Sequence, residues 1–187
     1  KVKDYEDSYF ILGVSTRREY EGQGFMKLLM NHVLDIYKDK RIYLQAYHPE
    51  IYMPFGFKES HRHILYKLDK AKYCLPSNIC LSQDISHLYD DYMRYTANFN
   101  HYLMRDEDYF NNYLRIRCVA FNDSVLTFKN EYGQQGYMIY NDRGKFVYIS
   151  EFIYNKEYLD DILKTISVYF YKDIRIETDC MASIHGE

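Results

Sequence analysis

The chain has 187 residues, and its 24 Lys and Arg against 27 Asp and Glu give a formal net charge of −3. This near balance, without long runs of like charge, argues against a nucleic-acid-binding protein, which would need a basic face. The length fits one domain or two small ones, and 23 Tyr with 11 Phe predict a core built largely from aromatic rings.

Membrane functions also have little support in the sequence. No apolar stretch approaches the ~18–20 residues that span a bilayer. The charged residues 1–7 lack the apolar core of a signal peptide. We therefore expect a soluble, cytoplasmic protein.

No metal site is expected. His61 and His63 would share one face of a strand, but no third ligand is evident, so partly exposed histidines are the favoured interpretation. The cysteines form no CxxC pair and no Cys/His cluster at zinc spacing, which favours buried, reduced thiols. They are Cys74, Cys80, Cys118 and Cys180.

A strand, a polar loop, a helix and a second strand are predicted first. Residues 8–14 form a nearly continuous apolar run, which indicates a buried strand. Residues 15–24 are polar and carry two glycines. Apolar residues then recur at three- and four-residue spacing over residues 25–37, as in a helix packed on one face. Residues 41–47 restore a β-favouring run, so the crossover rule makes the two strands parallel neighbours.

The next segment predicts a short helix and a long strand. Pro49 can occupy the first turn of the helix, and Gly56 can end it. Residues 57–68 alternate enough for a strand. Residues 69–77 are polar and indicate a domain boundary.

Beyond that boundary, two helices are predicted. Ser82 or Asp84 could cap a helix that runs to Tyr95. A second helix is expected over residues 106–114.

An antiparallel meander, a helix and a final strand follow. The three meander strands are predicted at residues 124–129, 136–140 and 145–152. The composition of residues 141–144 is typical of a hairpin turn. Apolar spacing over residues 158–170 indicates an amphipathic helix, and residues 174–177 can return as a strand.

The glycine-bearing turn between strand and helix is a potential anion site. Backbone N–H groups and the positive end of the helix dipole converge there, so a phosphate can bind. The turn is Gly22-Gln23-Gly24, and neither the Walker Gly-Lys-Ser/Thr nor the GxGxxG pattern is present. Loop composition alone leaves a phosphate site and a tight connection equally open. Arg17 and Arg18 could meet phosphates, or could be surface residues.

Residues 13–30 resemble the acetyl-CoA pyrophosphate loop of the GNAT superfamily of N-acetyltransferases. The family pattern is Val, a spacer, then Gln/Arg-x-x-Gly-x-Gly/Ala opening a helix, and here it reads Glu21-Gly22-Gln23-Gly24-Phe25-Met26. Glu21 stands where Gln or Arg is usual, and Met26 stands where a small residue is usual. A larger residue there is familiar in the Eis-like branch of aminoglycoside acetyltransferases and their relatives.

Residues 50–57 resemble the short helix and Phe-Gly-Phe/Tyr turn that follow the fifth strand of that family. A tyrosine in that segment supplies the general acid that reprotonates the departing CoA thiolate, and Tyr52 occupies its position. A phenol at the end of a short helix can donate a proton to a thiolate of comparable basicity. Any single one of the 23 tyrosines is more often a packing residue, so position in the motif is what distinguishes Tyr52.

The resemblance implies an α/β (α+β) fold. We expect a GNAT-type mixed sheet with the glycine loop and helix as pyrophosphate site, followed by a second GNAT-like domain with an antiparallel meander and helices. Residues 1–69 would be the C-terminal half of the acetyl-CoA-binding domain, and residues 70–187 the non-catalytic second domain. The N-terminal half of the first domain, and the third domain whose C-terminal carboxylate is the family's general base, would be absent from this chain.

The implied function is transfer of an acetyl group from acetyl-CoA to a primary amine, such as an aminoglycoside, a polyamine or a lysine. Tyr52 would be the general acid, and no metal would be needed. Main-chain groups would hold pantetheine and pyrophosphate at Val14, Ser15, Thr16, Gly22, Gln23, Gly24, Phe25 and Met26. No nucleic-acid or membrane partner is expected, and a homo-oligomer stays open. The alternative, favoured by Glu21 and Met26, is a GNAT-like binding or structural module without catalysis.

Overall fold

The structure is a computed structural model that describes residues 8–60, 63–75, 77–99 and 102–179. Predictions for residues 1–7, His61 and Cys180 lie outside the described residues, as does the side chain of His63. Contacts divide the chain into two units: residues 1–60 with 101–104, and residues 61–100 with 105–187. The sequence places the domain boundary nine residues later, after residue 69.

The described part of the first unit contains two strands, one helix and three short 3₁₀ turns. Strand β1 (Ser8–Ile11) and strand β2 (Arg41–Leu44) pair in parallel, with Ser8 opposite Arg41 and Ile11 opposite Leu44. Helix α1 (Phe25–Ile36) connects them, as predicted. Both strands are shorter than expected, and β1 ends close to Gly13, whose φ of 67° interrupts the extended backbone.

After β2 the chain makes two single 3₁₀ turns, Pro49–Ile51 and Met53–Phe55. Pro49 lies in the first turn, and Gly56 ends the second with a φ of 86°. The short predicted helix is therefore two successive turns that meet at Tyr52.

The first unit has a small core. Within its described part, Met30 is the buried apolar side chain, whereas Leu12 and Leu28 are 81% and 69% exposed. The apolar spacing of α1 was expected to mark a packed face, and in this chain much of that face is accessible. Two strands and one helix offer little to cover it.

The second unit is built on a six-stranded sheet. Its strands are β3 (His63–Lys67), β4 (Cys80–Ser82), β5 (Ser124–Asn130), β6 (Gly133–Asp142), β7 (Phe146–Tyr154) and β8 (Asp173–Asp179). Their order is β3-β8-β7-β6-β5-β4, and every pairing is antiparallel except that of β7 with β8. The predicted meander is therefore confirmed as β5-β6-β7.

Helices cover both faces of this sheet. Helix α4 (Leu159–Tyr169) packs its buried face into the same core cluster as Met138 of β6. The side chain of the neighbouring Tyr137 lies on the opposite face of the sheet. Its ring packs there against that of Phe110, with the centroids 6.3 Å apart. That side carries helix α2 (Leu88–Thr96), a π-helical turn (Tyr109–Tyr113) and helix α3 (Leu114–Phe121).

Three predicted elements differ in extent. The strand expected at residues 57–68 is limited to β3 within the described residues. The helix expected at residues 106–114 continues to Phe121, and Asn122 ends it with a left-handed φ of 54°. Helix α2 starts at Leu88, because Ser82 and Asp84 instead close local turns by accepting the N–H groups two residues on, at 3.2 and 3.1 Å.

Glu151 joins a buried polar cluster on the α2 and α3 side of the sheet. Its Oε1 accepts hydrogen bonds from Arg105 Nη1 and from Tyr137 Oη, both at 2.6 Å, and its Oε2 lies 3.7 Å from Arg117 Nη1. Burial opposes the charge on Arg105, yet the Glu151 carboxylate raises the pKa of Arg105 above its usual value. Burial raises the pKa of Tyr137 well above 10.0. Arg105 therefore stays charged at neutral pH.

The three cysteines among the described residues are free, and their predicted burial is wrong for two of them. Cys74 and Cys80 are exposed, and Cys118 is half-buried. Among the described residues, no three His, Cys, Asp or Glu side chains assemble as metal ligands. No helix in the described ranges has the length and apolar character to cross a membrane.

Two exposed carboxylates predict a loss of stability in acid. Lys129 and Ser86 lower the pKa of Asp84, and Lys172 and the N–H group of Gly144 lower that of Asp142, from a usual 3.8. A carboxyl whose folded pKa lies below its unfolded pKa contributes stability above the unfolded value and loses it as the pH falls through the folded one. We expect Tm to fall between about pH 4 and pH 2. In the double variant Asp84→Asn/Asp142→Asn, Tm should fall less steeply with decreasing pH than in the wild type. An unchanged slope of Tm against pH would contradict this.

Candidate functional site

The loop between β1 and α1 has an unusual backbone. It contains one 3₁₀ turn, Arg18–Tyr20, and then Gly22 and Gly24 with φ values of 73° and 82°. A Cβ atom added at either glycine would meet no atom within 4 Å. Glycine is therefore favoured here by backbone conformation, and the space above the loop is open.

The start of α1 presents unpaired donors. Gly24 is the N-cap residue and has no side chain to cap the helix. The first helical hydrogen bond runs from the Leu28 N–H to the Gly24 carbonyl at 3.0 Å. The preceding N–H groups, at residues 25–27, have no acceptor within the helix. Together with the helix dipole they favour an anion at this position.

A cavity of about 490 Å³ lies beside this helix start. Its walls are residues 11–17, Tyr20 and one face of α1, and this face is formed by Phe25, Met26, Leu29, Met30 and Val33. The lining is largely apolar, and Arg17 is its charged residue. From Phe25 to Val33 the helix covers about 12 Å, so the part of the wall that α1 provides extends over two turns from the helix start.

The structure brings together some of the predicted site residues. Five of them line the cavity: Val14, Ser15, Thr16, Phe25 and Met26. Gly22, Gln23 and Gly24 form the turn between Tyr20 and Phe25 and are not in the lining. The Gln23 side chain instead closes the loop, since its Nε2 donates to the Glu19 carbonyl at 3.0 Å.

Tyr52 is not part of the cavity wall. It is half-buried at the junction of the two 3₁₀ turns. Its ring packs edge-to-face against Phe57, with the centroids 6.2 Å apart. This packing fixes the position of the Tyr52 ring on the segment that follows β2.

Sequence reasoning did not assign several other lining residues to the site, among them Tyr20, Leu29, Met30 and Val33. Leu29 and Val33 were assigned to helix packing by their spacing, and Met30 fell outside that pattern. Tyr20 carried no signal beyond its place two residues before Gly22. Only the three-dimensional arrangement separates a cavity wall from a packed helix face.

Comparisons with known proteins concern both units. Residues 7–60 match the family model of the acetyltransferase (GNAT) domain. A search of curated proteins returns no significant match.

Solved structures extend the likeness to almost the whole chain. A GCN5-related N-acetyltransferase from Kribbella flavida is 16% identical, with 95% of this chain and 47% of that chain covered and a TM-score of 0.65. Another from Anabaena variabilis ATCC 29413 is 13% identical, with 94% and 49% covered and a TM-score of 0.71. A tandem GNAT protein from the clavulanic acid biosynthesis pathway is 11% identical, with 94% and 68% covered and a TM-score of 0.57.

These likenesses establish the fold. The predicted mixed α/β (α+β) architecture of the GNAT type is confirmed, with a mostly antiparallel sheet in the second unit. The chain spans about half the length of the Kribbella and Anabaena proteins that it matches.

Proposed function

We propose that this protein is an N-acetyltransferase that transfers an acetyl group from acetyl-CoA to a primary amine. The start of α1 carries the proposal, because unpaired N–H groups and two left-handed glycines lie there next to a cavity with a largely apolar wall. A phosphorylated molecule with a long neutral arm fits these features. The cavity also lies within the segment that matches the GNAT domain model.

Each predicted site residue has a role in this proposal. The N–H groups from Gly22 to Met26 hold the pyrophosphate, and the main chain at residues 14–16 pairs with the amides of pantetheine. Pairing of β1 with β2 ends at Ile11 and Leu44, so β2 does not occupy the polar groups of residues 14–16. This supports their availability to a ligand.

The reaction is a direct displacement. The amine nitrogen attacks the thioester carbonyl carbon, a C–N bond forms, and the C–S bond breaks. The amine loses a proton to a base, and Tyr52 donates a proton to the departing thiolate. We propose that the base lies in a part of the whole protein beyond this chain. The acceptor is an aminoglycoside, a polyamine or a lysine, as in the Eis-like branch.

We also propose a domain organisation and a cellular location for the protein. We assign residues 1–69 to the C-terminal half of the acetyl-CoA-binding domain and residues 70–187 to a second domain without catalytic residues. The exposed apolar surface of the first unit supports this, since half a domain would leave its core incomplete. The protein would act in the cytoplasm.

A binding module without catalysis is the second candidate. Glu21 favours it, because this exposed carboxylate next to Gly22 places negative charge beside the proposed anion site. Calorimetry on the whole protein separates the two candidates. Absence of acetyl-CoA binding at concentrations well above micromolar would exclude the enzyme, and binding without acetyl transfer to any amine would favour the module.

Substitution of Gly24 tests the anion site. Gly24→Ala should weaken acetyl-CoA binding about tenfold or more, because it strains a left-handed position and adds a methyl group where the phosphate must approach. Gly144→Ala is the matched control: its φ is 77°, it also has open space, and it lies in the hairpin between β6 and β7. Calorimetry should show normal binding for this control, and equal binding by both variants would reject the site.

A further inference from the structure

Two aromatic side chains stand on either side of the glycine turn. Tyr20 precedes Gly22 by two residues, and Phe25 follows Gly24 directly. Their rings meet edge-to-face, with centroids 5.8 Å apart and an angle of 86° between the planes. Both rings line the cavity, and both are about half exposed, at 48% and 49%. We call them the Tyr20–Phe25 pair.

The surroundings of this pair fix its position. The Tyr20 N–H donates to the Arg17 carbonyl at 2.8 Å, and the bond from Gln23 to Glu19 spans the loop between the rings. In an edge-to-face contact, the ring that offers its edge keeps both faces free of its partner. A flat apolar surface is therefore held open to solvent beside the N–H groups of α1.

We infer that the Tyr20–Phe25 pair is the stacking site for the adenine ring of the acyl donor, an inference that rests on the proposed function. Bases stack on aromatic side chains with about 1–3 kcal/mol each, without needing hydrogen bonds to the base edges. The base and the phosphates of one nucleotide lie close together, as do this pair and the glycine turn. Arg17, the charged residue of the cavity lining, adds positive charge for the nucleotide's phosphates.

The pair would divide recognition of the donor into two parts. The loop N–H groups bind the phosphates of any phosphopantetheine compound, whereas the rings bind only a donor that carries the base. Loss of a ring should therefore reduce the preference for CoA over 4′-phosphopantetheine, which lacks the adenosine portion. A ring that merely shaped the loop would affect both ligands alike.

Calorimetry of the whole protein with CoA and with 4′-phosphopantetheine tests this. Tyr20→Ala should weaken CoA binding between about fivefold and a hundredfold and leave phosphopantetheine binding unchanged. Tyr20→Leu, which keeps apolar volume and loses the aromatic face, should behave in the same way. Tyr47→Ala is the control, since Tyr47 is exposed and does not line the cavity.

Each outcome has a defined meaning. A loss of affinity for CoA without a loss of affinity for 4′-phosphopantetheine supports the stacking site. An equal loss of affinity for both ligands, or no loss of affinity for either, overturns the stacking site but does not contradict the proposed function. Wild-type protein that binds neither compound overturns the proposed function together with this inference.

Discussion

Replacement of Tyr52 by Phe in the whole protein is expected to lower kcat about 10²–10⁴-fold, the range for loss of a general acid, while acetyl-CoA affinity changes less than about twofold. The substitution removes only the hydroxyl. The ring can keep its contact with Phe57, and Tyr52 lies outside the cavity lining. Steady-state kinetics and calorimetry together give the two quantities.

Tyr37→Phe is the matched control for this experiment. Tyr37 is also half-buried, and its ring packs against Tyr9 with the centroids 4.6 Å apart. It has no proposed role in proton transfer, so both kcat and affinity should stay at wild-type values. An unchanged kcat in Tyr52→Phe would remove Tyr52 from the mechanism, and equal losses in both variants would indicate a packing effect.

Local chemistry explains which elements the sequence predicted well. Helix α1 begins directly after Gly24, and the turn between β6 and β7 contains Gly144; both glycines have left-handed φ values. Such positions are decided within a few residues, so the sequence reveals them. Asn122 is the same kind of signal, and recognising it as a left-handed C-cap would have given the correct end of α3.

Elements that depend on distant partners were harder to predict. Strand β4 has only three residues, too few for alternation to be detected, and it exists because Cys80, Leu81 and Ser82 pair with β5. That partner strand lies some forty residues further along the chain. Strand pairing of this kind is a tertiary interaction, which local patterns do not encode.

The candidate site shows the same division. The glycine turn and the helix start follow from backbone chemistry and were found in the sequence. The roles of Tyr20 and Met30 depend on which surfaces enclose the cavity, and residue type alone does not distinguish one tyrosine among 23. The assignment of Tyr52 came from a resemblance, and it stays a prediction until its kinetics are measured.

The second large effect is expected in the buried cluster around Glu151. Glu151→Gln should lower the free energy of unfolding by about 3–5 kcal/mol, because it leaves the buried Arg105 guanidinium without its counter-charge. The side chains of Arg105 and Glu151 are only 13% and 11% exposed. In addition, Arg105 Nε is buried and already lacks a hydrogen-bond partner. Domains commonly have a total stability of about 5–15 kcal/mol, so this loss would be a large share.

An exposed ion pair provides the control. Lys67 Nζ and Asp173 Oδ2 are 3.2 Å apart and join β3 to β8, but their side chains are 67% and 54% exposed. Asp173→Asn should therefore cost less than about 1 kcal/mol. Urea unfolding with equal m-values measures both variants on one scale. A loss for Glu151→Gln no larger than that of the control would show that the buried cluster does not stabilise the second unit.

A double variant distinguishes a lost charge pair from simple disruption. Arg105→Met removes a guanidinium whose Cζ lies 4.8 and 4.6 Å from the ring centroids of Tyr92 and Tyr109. This single variant is also destabilising, because it leaves Glu151 with less positive charge around it. In Arg105→Met/Glu151→Gln both members of the closest pair are gone. Contacting residues couple by about 0.5–3 kcal/mol, so the double variant should lose less stability than the sum of the single variants. Strict additivity would mean that Arg105 and Glu151 act independently, in conflict with their 2.6 Å hydrogen bond.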